Sequence, residues 1–114
     1  NIPAESVILH AGMEVTTALT GTSSDTAFDL GVTGGDVDNF VDGFDADGAS
    51  AGAYAPTAAA YAPVIVGATD TLDILVQAQT GTTLTGKIRV FATLMDISDA
   101  GDMAANEVDR DTLA

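Results

Sequence analysis

Three runs in which apolar and polar residues alternate restrict this chain to a sheet architecture. In SVILHAGMEVTT, Val7, Leu9, Ala11, Met13 and Val15 fall on one side, with His10, Glu14 and Thr16 on the other. In TLDILVQAQ, Leu72, Ile74, Val76 and Ala78 oppose Asp73, Gln77 and Gln79. In GKIRVFATLMDIS, Ile88, Val90, Ala92 and Leu94 oppose Lys87, Arg89 and Thr93. A period of two sends successive side chains to opposite faces, so each run predicts a long strand with one buried face. TAFDLGV at 26–32 and PVIVGA at 63–68 predict two shorter strands, and no segment carries a helical period. The expected fold is all-β, an antiparallel β-sandwich or a jelly-roll-like barrel.

The connections refine this picture. TGTTLTG at 80–86 is too short for a crossover helix and predicts an antiparallel hairpin between the last two long strands. AYAPTAAAYAP at 53–63 repeats AYAP, and each Pro removes a backbone donor and biases its predecessor toward extended geometry. A surface excursion with short edge pairing is expected there, with a helical turn at Thr57–Ala60 as the competing reading. In GVTGGD, Gly34 and Gly35 suit a tight turn; no Lys follows them to complete a phosphate loop. Residues 1–98 read as one domain with an N-terminal arm at 1–6, and residues 99–114 as an acidic C-terminal tail.

Composition narrows the function. Seventeen Asp and Glu against three Lys and Arg give a formal charge of −14, which opposes binding to nucleic acid or to an anionic membrane surface. At 46% hydrophobic residues the chain is too apolar to stay disordered. Without cysteine there is no disulfide frame and no thiolate chemistry. No apolar run reaches the roughly eighteen residues that span a bilayer, and NIPAES lacks the regions of a signal peptide.

DVDNFVDGFDADG at 36–48 is the densest group of carboxylates. An EF-hand loop started at Asp36 puts Phe40 and Val41 where a ligand and the invariant Gly belong. Started at Gly43, it lacks both the first and the last ligand. An acidic turn anchored by Phe40, Val41 and Phe44 is the expected structure. A looser calcium site from Asp42, Asp45 and Asp47 is the alternative. His10 is the only histidine and reads as a surface residue, and no serine sits in a nucleophile elbow. The expectation is a protein that is not an enzyme and needs no cofactor. Lys87 and Arg89 are expected to pair across strands, with Asp73 as one partner, or across a subunit boundary.

The long first strand, the run FDLGVTGGDVDNFVDGFDADG and the closing TLDILVQAQTGTTLTGKIRVFATLMDIS resemble the small head-decoration, or cement, proteins of tailed bacteriophages, those of marine and cyanobacterial phages in particular. The likeness covers roughly residues 7–98 and is most specific in DNFVDGFDADG and GKIRVFATLMDIS. It implies a non-enzymatic virion protein on the outer surface of the capsid that binds the major capsid protein, commonly as a homotrimer. The contacts expected under it are Asn1, Ile2 and Pro3 of the arm, Tyr54, Tyr61, Lys87 and Arg89, together with the acidic tail. The competing reading is a phage tail or fibre domain, or a secreted adhesin-type binding module, that uses calcium.

Overall fold

The structure, a computed structural model, describes residues 1–22, 24–81 and 83–98. The expected tail at 99–114 lies outside the described residues. Six strands follow one another: β1 (Ser6–Gly21), β2 (Ser24–Val32), β3 (Val41–Asp45), β4 (Val64–Val66), β5 (Leu72–Thr80) and β6 (Leu84–Asp96). They form two antiparallel sheets, ordered β4-β1-β6 and β3-β2-β5, packed together as an all-β sandwich. Among the described residues there is no helix.

The register shows how the two sheets arise. β1 pairs with β6 from Ser6↔Asp96 to Gly21↔Leu84, and β2 pairs with β5 from Ser24↔Thr80 to Val32↔Leu72. β1 and β2 therefore succeed one another along one line of pairing, with β6 and then β5 alongside it. Residues 41–55 track its other margin. Phe28 pairs with Phe44, and on β1 the Leu19 N–H donates to Ala49 O at 2.8 Å and the Val15 N–H to Ala53 O at 2.9 Å. A three-stranded ribbon folds over on itself, and its two halves become the two sheets.

The far ends of the ribbon meet. The Phe40 N–H donates to Leu30 O at the end of β2, and the Phe40 ring lies 6.0 Å from that of Tyr61. The Tyr61 hydroxyl in turn donates to Leu9 O near the start of β1. Ile2 and Asp70 exchange backbone hydrogen bonds, and the Asp70 carboxylate accepts the Gly34 N–H.

This architecture corrects the expected hairpin at 80–86. β6 pairs with β1 and β5 with β2, in different sheets, so the two strands do not form a hairpin with each other. A short linker fits either geometry; the choice falls to the partner that offers the longer ladder. At the end of β1, a Cβ on Gly21 would lie 2.1 Å from Thr83 O, so the two chain segments cross only because Gly21 has no side chain.

A second correction concerns β1. Bulges between Ile8 and His10, and again between Val15 and Thr20, shift its alternation. An extra residue in one strand reverses which side chains face inward. Ile8 is therefore fully buried while Leu9 is 37% exposed, and Leu19 enters the core beyond Ala11, Met13 and Val15. On β2, by contrast, Phe28, Leu30 and Val32 are buried as the alternation predicts.

The acidic stretch is also more ordered than a turn. Val41–Asp45 within it is a strand, with Phe40 and Val41 fully buried and Phe44 packed against the core. The segment 53–63 is the expected excursion: Tyr54 bridges to Glu14, and the Tyr61 N–H closes a turn onto Ala58 O without helix. With Ala55 buried and the Ala58 N–H donating to Phe40 O at 2.9 Å, this excursion closes one side of the sandwich.

Candidate functional site

The outer face of the β1–β6 pair carries an aromatic group. Gly12 pairs with Phe91, and the missing side chain leaves room for the ring; a Cβ on Gly12 would meet its tip at 2.6 Å. Tyr54 lies 5.7 Å from Phe91 between ring centroids, and His10 lies 6.5 Å from Phe91 and 5.6 Å from Tyr61, the latter edge-on. His10 Nε2 is 3.0 Å from the Thr57 hydroxyl, which ties the excursion to the sheet. On the same face Arg89 forms an ion pair with Glu14, its directly opposed residue. Tyr54, at 57% exposure, is the most accessible ring of the group. Rings that combine a large apolar surface with a polar tip suit protein contact.

The neighbouring acidic loop is held by its own backbone. The Asp45 carboxylate accepts the Asp47 N–H at 3.0 Å, and the Asp47 carboxylate accepts the Thr26 N–H at 2.9 Å. Buried Asp29 accepts the Gly43 N–H at 2.8 Å. A side-chain hydrogen bond between Asp36 and Asp38 holds the first carboxyl below its ordinary pKa and the second above it. Among the described residues, no three His, Asp or Glu side chains gather closely enough to hold a metal ion, so Asp42, Asp45 and Asp47 do not converge. A groove of about 540 Å³ separates Asp42–Asp45 from Tyr54–Ala59.

The remaining predicted residues fall in different places. The arm is docked on its own domain: Ile2 is buried, the Glu5 N–H donates to Val66 O, and the Ser6 hydroxyl donates to Pro3 O, which leaves Asn1 and Pro3 exposed. Lys87 is exposed opposite Thr17. Asp73 is not its partner, nor that of Arg89, because β5 lies in the other sheet. Instead, the Thr33 and Thr71 hydroxyls donate to Asp73 and hold its carboxyl below the ordinary value. The structure brings Tyr54, Tyr61 and Arg89 to one face. It adds Phe91, which sequence reasoning passed over, and His10, read there as a surface residue but half-buried between Tyr61 and Phe91. Phe91 shares the face of Lys87 and Arg89 along β6, and an aromatic ring on an otherwise polar face was the available signal. No protein-family model, curated protein or solved structure matches this chain.

Proposed function

We propose that this protein is a structural component of a bacteriophage virion, which decorates and stabilises the outer surface of the capsid by binding the major capsid protein. One observation carries the reading. GKIRVFATLMDIS, among the most specific parts of the resemblance, coincides with β6 and its flanks, and β6 supplies Phe91 and Arg89 to the aromatic face and a run of exposed apolar residues. Under this proposal Tyr54, Phe91 and Tyr61 meet the capsid, with Lys87 and Arg89 beside them. The mechanism is linkage: a protein that binds the assembled shell but not its dissociated subunits shifts the equilibrium toward the shell. Several copies held together, as in the trimer the resemblance implies, add effective concentration.

Mixing the purified protein with expanded heads and sedimenting them tests the proposal. Co-sedimentation, together with a raised disruption temperature of the heads, is the expected result. Tyr54→Ala should weaken the binding by tenfold or more, on the order of the 1.4 kcal/mol or greater that an anchor residue contributes. Protein that stays in the supernatant at saturating concentration overturns the reading.

A further inference from the structure

We infer that the trough along the outer edge of β3 is a docking site for an extended, arginine-bearing segment of a partner protein. β3 is the last strand of its sheet among the described residues, so one of its edges has no neighbouring strand. Beside that edge the 53–63 excursion pairs with β1, the Ala55 N–H donating to Met13 O at 3.0 Å. It meets the start of β3 where the Ala58 N–H donates to Phe40 O. The groove of about 540 Å³ left between them is flanked by two hollows of about 320 Å³ each. One hollow shares Asp42, Ala58 and Ala59 with the groove and the other shares Gly43 and Asp45, so the three form a single trough. The Ala46 N–H is turned inward to Thr26 O, and alternation along the strand turns the Asp45 N–H to the open side. A linear trough beside an open strand edge suits an extended chain, whose backbone can pair with that edge.

The lining selects a cation. Asp25, Asp36, Asp38, Asp42, Asp45 and Asp47 line the trough, and no Lys or Arg among the described residues does. The ion pair of Arg89 with Glu14 lies outside it, so none of these carboxylates is neutralised from within the described residues. Their crowding is felt: the Asp36 hydrogen bond first, then the charges of Asp36 and Asp42, hold the Asp38 carboxyl above its ordinary value. A separate sign lies at the Asp25–Asp47 end. Thr26 is 1% exposed, yet its hydroxyl and Asp47 Oδ1 have no hydrogen-bond partner. Buried polar groups left unpaired are costly, a carboxylate most of all, and a positive charge seated at this end offsets that cost. The carboxylates can only accept, and the Thr57 hydroxyl is already within hydrogen-bond distance of His10. A guanidinium, which only donates and stacks on aromatic faces, matches them and the exposed Tyr54 ring. A neutral sugar, which must find donors as well as acceptors, fits less well. The inference rests on this trough and does not require the capsid proposal.

The probe is a synthetic octapeptide of alternating Arg and Thr, blocked at both ends and titrated calorimetrically into the full chain. No heads are present and Tyr54 is left intact, so failure here and failure of the capsid proposal are separable. Saturable binding of one peptide per chain is expected, weakening about tenfold between about 50 mM and about 0.3 M NaCl as screening grows. Asp42→Asn combined with Asp45→Asn should weaken it by about tenfold or more, with an unchanged circular dichroism spectrum. Asp42→Asn alone, at an exposed position, should account for about threefold of that loss. Glu5→Gln combined with Asp96→Asn removes two charges at exposed positions outside the trough and should change binding by less than about threefold. Hydrogen exchange of the Asp45 amide should slow in the complex. Absence of saturable binding up to about millimolar peptide overturns the inference. Equal weakening by the two double variants does so too, since it would reduce the effect to general attraction by an anionic protein. An octapeptide of Gln and Thr that binds as tightly, or an Asp45 amide that exchanges no more slowly, overturns it as well.

Discussion

At the scale of single residues, the carboxylates of this protein act chiefly on its own backbone and hydroxyls. Asp73 takes two threonine hydroxyls, Asp96 is held below its ordinary pKa by the Ser98 side chain and N–H, and Asp70 accepts the N–H groups of Gly34 and Thr71. A depressed folded value means that stability is full above the unfolded carboxylate pKa, about 3.9, and is lost as pH falls through the folded value. Asp38 runs the other way. Its raised value favours the folded state at low pH, and that contribution disappears as pH rises. Thermal melts from about pH 2 to pH 6 should therefore show an acid limb below about pH 4. Asp73→Asn should make that limb shallower without removing it, because Asp36 and Asp96 stay depressed, and leave the melt near neutral pH with little pH dependence. These roles were only partly legible in the sequence: Asp-Gly and Asp-Ala-Asp-Gly mark turns by themselves, but no local rule ties Asp73 to Thr33, forty residues earlier.

At the scale of elements, the alternation fixed the strands and their inward faces wherever the ladder is regular. Phe28, Leu30 and Val32 on β2 follow from a period of two, whereas on β5 and β6 the expected buried face stays open: Ile88 is only partly buried, and Ile74, Val76, Val90 and Leu94 are exposed. β1 departs from that period, because its bulges are set by the match between its ladder and that of β6, and nothing in SVILHAGMEVTT announces them. The consequence is measurable. Ile8→Ala should cost about 2–4 kcal/mol in urea denaturation, the usual price of emptying a buried site, and Leu9→Ala less than about 1 kcal/mol. Equal costs, or the reverse order, would restore the regular register. The hairpin expected at 80–86 failed for a related reason: TGTTLTG states that the chain turns, but not which strand it turns toward. The aromatic face was partly visible. Tyr54 and Tyr61 stand out by type, whereas Phe91 gains its place through a glycine on another strand.

At the scale of the whole molecule, a net charge of −14 on 114 residues opposes compaction. The melting temperature should rise as NaCl increases from about 10 mM to about 0.2 M, where the screening length falls from about 30 Å to under 10 Å, and then level off. Calcium at matched ionic strength should add nothing further; an additional rise would revive the binding-module reading. The folded-over ribbon has one more consequence, in the order of synthesis. Its central strands, β1 and β2, are made early, but His10 waits for Thr93 and Val32 for Leu72. At a translation rate of about 5–20 residues per second, the first of these intervals lasts on the order of 4–17 seconds, during which a long apolar strand has no partner on that margin. Pairing along that margin therefore lags well behind synthesis of the strand itself, and a fold dominated by such distant pairings forms correspondingly slowly.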